Sequence, residues 1–267
     1  MIEVSGLHYR PRGREILKGL DVSLSAGKVT AFLGPNGAGK STFLRILAGH
    51  LAPSEGEVRL KGKPLQGYAK SELARSRAVL SQHQGLPFEF SVESIVLLGR
   101  SPFYSLRPGK EDRKVVEEVM QELGLWELRH RGMHQLSGGE RQKVHLARVL
   151  AQIHPEKGGD YSGRLLFMDE PTTWLDVHQQ HQLLERVRLL SEQGLTVIMV
   201  LHELDLASRY ADFLTLMKSG RILAHGAVKQ VFTDAWLSEA YGMPLHVCSD
   251  DLGNVHCCPL EAPLLKV

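Results

Sequence analysis

Short apolar runs, amphipathic stretches and turn-forming residues follow one another along most of the chain. Continuous apolar runs, typical of strands buried on both faces, occupy residues 29–33, 165–168 and 195–201. Leu20, Val22 and Leu24 alternate with polar residues, which predicts a half-buried antiparallel strand. Further strands are predicted at residues 57–60 and 78–82. Residues 213–217 and 221–225 are predicted to pair as one hairpin across Ser219-Gly220, and a last hairpin is predicted around residues 250–254.

Segments with the hydrophobic periodicity of helices lie between these strands. The predicted helices are residues 40–48, 92–98, 111–123, 137–153 and 177–192, and a further helical stretch precedes the last hairpin. Strands alternating with helices indicate parallel βαβ units and an α/β fold. We interpret residues 86–155 as an inserted α-helical subdomain. Residues 1–85 and 156–267 then form the core.

Composition narrows the class of protein. The chain has 267 residues, and its 32 Lys and Arg against 30 Asp and Glu leave a net charge of +2, which argues against a nucleic-acid partner. Three cysteines are too few for a disulfide framework and favour a reducing compartment. Residues 1–14 are charged and turn-forming, without a secretory signal pattern, and no apolar run reaches the ~20 residues of a membrane span. Any membrane span is therefore expected from another chain.

A phosphate-binding loop is the first chemical motif. Residues 34–41 match G-x-x-x-x-G-K-[ST] between a predicted strand and a predicted helix, and the residues at and just after the loop are Gly34, Pro35, Asn36, Gly37, Ala38, Gly39, Lys40, Ser41 and Thr42. The glycines let backbone N–H groups face phosphate oxygens, and the helix N-terminus adds positive potential. Lys40 is expected to reach the β- and γ-phosphates, and Ser41 to bind Mg²⁺.

Two carboxylates end the apolar run at residues 165–168. We expect Asp169 to complete the Mg²⁺ site and Glu170 to orient and polarise an attacking water.

A third motif begins the helix at residues 137–153. Ser137 and Glu140 form a capping box, and Gly138 and Gly139 between them permit close approach of an anion.

Together the three motifs resemble the ATP-binding subunits of ABC transporters over essentially the whole chain. The resemblance implies a P-loop ABC-type ATPase with a mixed β core, an antiparallel β subdomain and an inserted α-helical subdomain, using ATP and Mg²⁺. It also implies that Tyr9 stacks on adenine, that Gln82 contacts Mg²⁺ and the water, and that His202 hydrogen-bonds the γ-phosphate. Residues 171–176 resemble the loop that crosses the dimer interface in this family, although Thr173-Trp174 replaces the more frequent Ser-Ala.

The resemblance implies partners as well. A head-to-tail homodimer would hold each ATP between the Lys40 loop of one chain and the Ser137 helix of the other. A polytopic permease dimer would dock around residues 88–100, at the cytoplasmic face of the inner membrane. The sequence around Gln82 resembles importers of iron chelates, haem and cobalamin, most of all the ATPase subunits of bacterial haem importers, which work with a periplasmic haem-binding protein. Ferric-siderophore or cobalamin import, an ABC ATPase outside transport, and a non-catalytic nucleotide sensor remain alternatives.

Overall fold

The computed structural model describes residues 1–81, 90–155, 159–173, 175–251 and 255–260. Within these residues the strands are β1 Ile2–Tyr9, β2 Leu17–Leu24, β3 Val29–Leu33, β4 Glu55–Leu60, β5 Lys63–Pro64, β6 Arg77–Leu80, β7 Leu165–Asp169, β8 Thr196–Val200, β9 Phe213–Lys218, β10 Arg221–Ala227, β11 Leu245–Ser249 and β12 Val255–Pro259. The helices are α1 Lys40–Leu47, α2 Lys70–Ser76, α3 Val92–Leu98, α4 Lys110–Glu122, α5 Gly138–Ile153, α6 Val177–Glu192, α7 Leu204–Tyr210, α8 Val228–Val231 and α9 Asp234–Tyr241. The predicted helices and buried strands are confirmed to within a few residues.

The chain separates into two compact units. The first consists of Met1–Gly67 and Ile198–Val267, and the second of Tyr68–Val197. The division falls within β8, whose five residues are all buried. The predicted helical subdomain at residues 86–155 lies inside the second unit, and its bounds remain a prediction.

An antiparallel sheet in the order β2-β1-β4-β5 forms one part of the first unit. Its strand β1 corrects the expectation of a turn-rich N-terminus. The β1–β2 register shifts between Val4 and Leu7, so the alternation of buried and exposed residues that begins at Ile2 and Val4 breaks at Gly6. The sequence of β1 therefore shows only a weak strand pattern. Tertiary pairing on both sides overrides the polar composition of this segment.

A mixed sheet forms the other part of the first unit. β3 pairs in parallel with β9, and β9 pairs antiparallel with β10, which confirms the predicted hairpin. Helix α1 packs on β3 through Phe32 and Phe43, whose fully buried rings stack with centroids 5.1 Å apart. Burial of two such rings stabilises the unit by about 2–3 kcal/mol each. It also fixes the start of α1 beside the end of β3.

Helix α5 is the centre of the second unit. Its buried face packs against α3, α4 and β6, and β6 pairs in parallel with β7. Arg100, just after α3, donates to the Asp112 carboxylate at 3.1 Å and to the Ala151 carbonyl at 2.9 Å. Both charged groups are buried, so the pair and its extra hydrogen bond fix the beginning of α4 against the end of α5.

The C-terminal residues of the first unit form α7 to α9 and a hairpin. β11 and β12 pair in an antiparallel register that confirms strands on both sides of the predicted turn, part of which lies outside the described residues. β12 contacts α7 through the Asp205 carboxylate, which accepts from Cys257 N–H at 2.9 Å. Helix α7, only seven residues long, is not predicted from the sequence.

Candidate functional site

The phosphate loop, residues 34–41, joins the C-terminal end of β3 to the first turn of α1. Two of its glycines occupy positions that a side chain would disturb. Gly34 has a φ of 138°, and a Cβ there would lie 2.0 Å from the Met217 carbonyl oxygen. Gly39 has a φ of 97°, and a Cβ there would lie 2.6 Å from the Leu17 side chain. The glycine spacing therefore follows from close packing as well as from backbone freedom.

Lys40 begins α1 and is only 6% exposed. Its ammonium donates to the Gly34 carbonyl at 2.7 Å and to the Pro35 carbonyl at 3.1 Å, so it folds back over the loop that contains it. Ser41 and Thr42 follow in the first turn and are partly exposed. A lysine ammonium, two hydroxyls and the positive end of a helix meet at one place, which is the chemistry that binds a polyphosphate.

Tyr9 and His202 lie in the same unit as this loop. Tyr9 ends β1 and is paired in register with Leu17, the residue whose side chain contacts Gly39. His202 is exposed and follows Leu201, whose N–H donates to the Phe32 carbonyl at 3.2 Å, two residues before the loop begins. The strands therefore carry both residues to the neighbourhood of the phosphate loop.

In the second unit, Ser137 and Glu140 form the predicted capping box at the start of α5. The Ser137 Oγ accepts from Glu140 N–H at 3.3 Å, and the Glu140 carboxylate accepts from Ser137 N–H at 2.7 Å. This backbone hydrogen bond is the main reason that the pKa of Glu140 is lowered. Gly138 is exposed in the first turn of α5, whereas Gly139 is buried against the Gln179 side chain.

The acidic pair stands at the end of β7, as predicted. Asp169 is 8% exposed and ends a strand of five buried residues. Glu170 has a φ of 52°, a left-handed conformation that costs a non-glycine residue about 1–3 kcal/mol. Strain of this kind concentrates at functional sites, and no spacing rule in the sequence reveals it.

Two glutamines that the sequence analysis did not single out bind the segment after the acidic pair. Gln142 of α5 donates to the Pro171 carbonyl at 3.1 Å. Gln180 of α6 donates to the carbonyls of Thr172 and Leu175 at 3.3 and 3.2 Å. Side-chain amides of helices α5 and α6 thus hold the carbonyls of Pro171, Thr172 and Leu175. Amide donors on polar helix faces carry no distinctive sequence signal, which is why they were missed.

The predicted residues thus fall into one group in each unit. The first unit contains Tyr9, the phosphate loop and His202, and the second contains Ser137–Glu140, Asp169 and Glu170. Gln82 and Trp174 lie outside the described residues, as does Phe88 of the expected docking region. Among the described helices, none is both long and apolar enough to cross a membrane.

The fold and these motifs define an ATP-hydrolysing subunit, and the chain belongs to the ABC transporter family, whose model matches residues 17–173. Among its relatives, the hemin import ATP-binding protein HmuV of Pseudomonas entomophila is 43% identical over 247 residues, covering 92% of this chain and 94% of that protein. The protein of the same name from Gloeobacter violaceus is 42% identical over 265 residues, covering 99% and 94%.

Solved structures agree on the fold. The chain is similar to a metal-chelate type ABC transporter solved in an inward-facing conformation. The TM-score is 0.82, the identity is 26%, and the match covers 99% of both chains. An ATP-binding cassette of an ABC transporter in its ADP conformation has a TM-score of 0.77 and 26% identity, covering 90% of this chain and 97% of that one.

Proposed function

We propose that this ATPase subunit powers haem import through a partner membrane permease. The observation that carries the cargo assignment is the 42–43% identity to hemin import ATP-binding proteins over 92–99% of the chain. The similarity to a metal-chelate type transporter supports the same class of cargo. In this proposal the subunit acts at the cytoplasmic face of the inner membrane, and a periplasmic haem-binding protein delivers the cargo on the other side.

The proposed ATP site combines both groups of residues. The phosphate loop holds the β- and γ-phosphates through its backbone and Lys40, Tyr9 stacks on adenine, and His202 hydrogen-bonds the γ-phosphate. The Ser137 helix of a second copy contacts the same γ-phosphate, because the N-terminus of a helix carries positive potential and Gly138 in its first turn is exposed. A two-fold dimer then contains two equivalent sites.

The donor set suits magnesium. The Ser41 hydroxyl, the Asp169 carboxylate and the Gln82 amide oxygen are the hard oxygen ligands that Mg²⁺ combines with phosphate oxygens and water. A Mg²⁺ ion held by these residues would neutralise charge on the phosphates. Glu170 would orient and polarise the attacking water, and Gln82 would contact the water and the metal.

Uptake measurements test the cargo. The subunit is reconstituted with its permease in vesicles, and uptake of haem, a ferric siderophore and cobalamin is compared, with a Glu170→Gln complex as the inactive control. We expect ATP-dependent uptake of haem only. Transport of a siderophore or cobalamin but not of haem would overturn the cargo assignment and leave the ATPase unaffected.

Coupling is tested at Gln82. Gln82→Ala should lower cargo-stimulated hydrolysis in the assembled transporter more than it lowers ATP binding, because coupling reaches the ATPase as a shape change at the docking surface. Gln84→Ala, two residues further on, is the matched control. Equal losses in stimulated hydrolysis and ATP binding for Gln82→Ala would contradict the coupling role.

A further inference from the structure

A residue far from every motif contacts the phosphate loop. The hydroxyl of Tyr241, the last residue of α9, accepts a hydrogen bond from Gly34 N–H at 3.2 Å. The two residues are 207 positions apart in the chain. Tyr241 also lies outside residues 17–173, which the family model matches.

Three contacts fix the position of Gly34, and one of them is the hydrogen bond to Tyr241. The Gly34 N–H donates to Tyr241, the Gly34 carbonyl accepts from the Lys40 ammonium at 2.7 Å, and the Met217 carbonyl lies against the Gly34 Cα. Because Lys40 is bound to the Gly34 carbonyl, the position of Gly34 affects the ammonium that is expected to reach the phosphates. A hydrogen bond that fixes Gly34 therefore also limits where Lys40 can lie.

Tyr241 is itself fixed by the C-terminal part of the first unit. Helix α9 packs on β9, and Lys218 of β9 donates to the Glu239 carbonyl. Ser238 bonds to Leu245 at the start of β11, which ties the end of α9 to the terminal hairpin. Burial raises the pKa of Tyr241, with a smaller opposing effect of the Gly34 hydrogen bond, so the phenol stays protonated.

We propose that Tyr241 is a positioning residue for nucleotide binding, through which the C-terminal segment preorganises the phosphate loop. The proposal rests on the phosphate loop being the ATP site. A preorganised loop should favour binding of both ADP and ATP, because the two nucleotides share the β-phosphate that the loop is proposed to hold. Loss of this one partly buried hydrogen bond should weaken nucleotide binding about three- to tenfold, while kcat stays within about twofold.

Tyr241→Phe removes the hydroxyl and keeps the ring. Titration with Mg-ADP gives the affinity without hydrolysis, steady-state kinetics give KM and kcat for ATP, and thermal unfolding gives Tm for each variant. We expect weaker ADP binding, a raised KM and a nearly unchanged kcat. Tyr161→Phe, which removes the hydroxyl of a buried tyrosine in the second unit, should bind ADP like the wild type.

Titration of Lys40→Ala with Mg-ADP distinguishes a failure of the positioning role from a failure of the loop assignment. If Lys40→Ala weakens ADP binding and Tyr241→Phe does not, the positioning role is wrong, even if Tyr241→Phe lowers Tm. If neither change weakens ADP binding, the assignment of the loop is wrong and the inference fails with it. Tyr241→Ala should bind ADP about as weakly as Tyr241→Phe and unfold at a lower temperature. An affinity loss only in Tyr241→Ala would assign the effect to ring packing and overturn the proposal.

Discussion

Glu170 combines an expected chemical role with an unfavourable backbone conformation. The carboxylate follows β7 where a water-activating group is expected, yet its φ of 52° lies in the left-handed region. The surrounding structure holds this conformation, since Thr173 N–H donates to the Glu170 carbonyl at 3.3 Å. The left-handed backbone conformation of Glu170 therefore lowers the stability of the folded protein at the residue to which hydrolysis is assigned.

Glycine at position 170 should reveal this cost. Glu170→Gly should unfold at a higher temperature than Glu170→Ala, by an amount equivalent to about 1 kcal/mol, because glycine adopts positive φ without steric strain. Both variants should lose hydrolysis with the carboxylate. Calorimetry without nucleotide compares the two directly, and equal unfolding temperatures would mean that residue 170 relaxes to an unstrained backbone.

Substitutions of Lys40 and Glu170 should impair different steps of the ATPase reaction. Lys40→Ala loses the ammonium that contacts the phosphates, so nucleotide affinity and turnover should both fall. Glu170→Gln keeps the contacts of bound ATP and impairs water activation, so ATP should still bind while hydrolysis drops by about 10²-fold or more. Nucleotide titrations and turnover assays on both variants distinguish the two roles. Wild-type affinity in Lys40→Ala would contradict the assignment of Lys40.

Helix α5 shows how one element serves both stability and binding. Its capping box satisfies N–H groups at the N-terminus, its buried face forms the core of the second unit, and Gln142 holds the Pro171 carbonyl. A change at Ser137 can therefore act by loss of the cap or by loss of a phosphate contact.

Two substitutions at Ser137 separate these effects. Ser137→Ala removes the cap and should lower the free energy of unfolding by about 0.5–2 kcal/mol. Ser137→Asp keeps a good capping residue and should restore most of that stability. Its negative charge should nevertheless abolish ATP-dependent dimerisation, because it would face the γ-phosphate in the proposed dimer.

Dimerisation in this test is measured in the Glu170→Gln background. Ser91→Ala is the matched control, since Ser91 caps α3 by accepting from Ser94 N–H at 3.2 Å. It should lose stability and keep the dimer. An ATP-dependent dimer of Ser137→Asp would contradict the phosphate contact.

At the scale of the whole molecule, each of the two units carries part of the proposed site. The phosphate loop, Tyr9 and His202 belong to the first, and the Ser137 helix with the acidic pair to the second. In the proposed dimer the γ-phosphate joins two chains, so ATP favours association and hydrolysis removes the link.

Blocking hydrolysis should therefore trap the dimer. Glu170→Gln with saturating ATP should double its mass from 29.7 kDa in light scattering, and with ADP or no nucleotide it should stay monomeric. Wild type should populate the dimer only briefly. A variant that remains monomeric in ATP while binding it would contradict the two-chain site.

The sequence by itself determined the features that depend on near neighbours. The phosphate loop and the capping box each use groups within eight consecutive residues, and the buried strands show as continuous apolar runs because both faces are covered. These features supported the family, the ATPase activity and most of the proposed site. Local spacing was sufficient because the chemistry itself is local.

Only the tertiary structure decided the contacts between distant segments. Strand β1 depends on pairing partners on both sides, Gln142 holds a carbonyl 29 residues away, and Tyr241 reaches Gly34 across 207 residues. The positive φ of Glu170 is likewise imposed by its surroundings. Glutamine, tyrosine and glutamate are common on polar surfaces, so their identities alone do not reveal such roles. These roles follow from the contacts that the fold creates between distant segments.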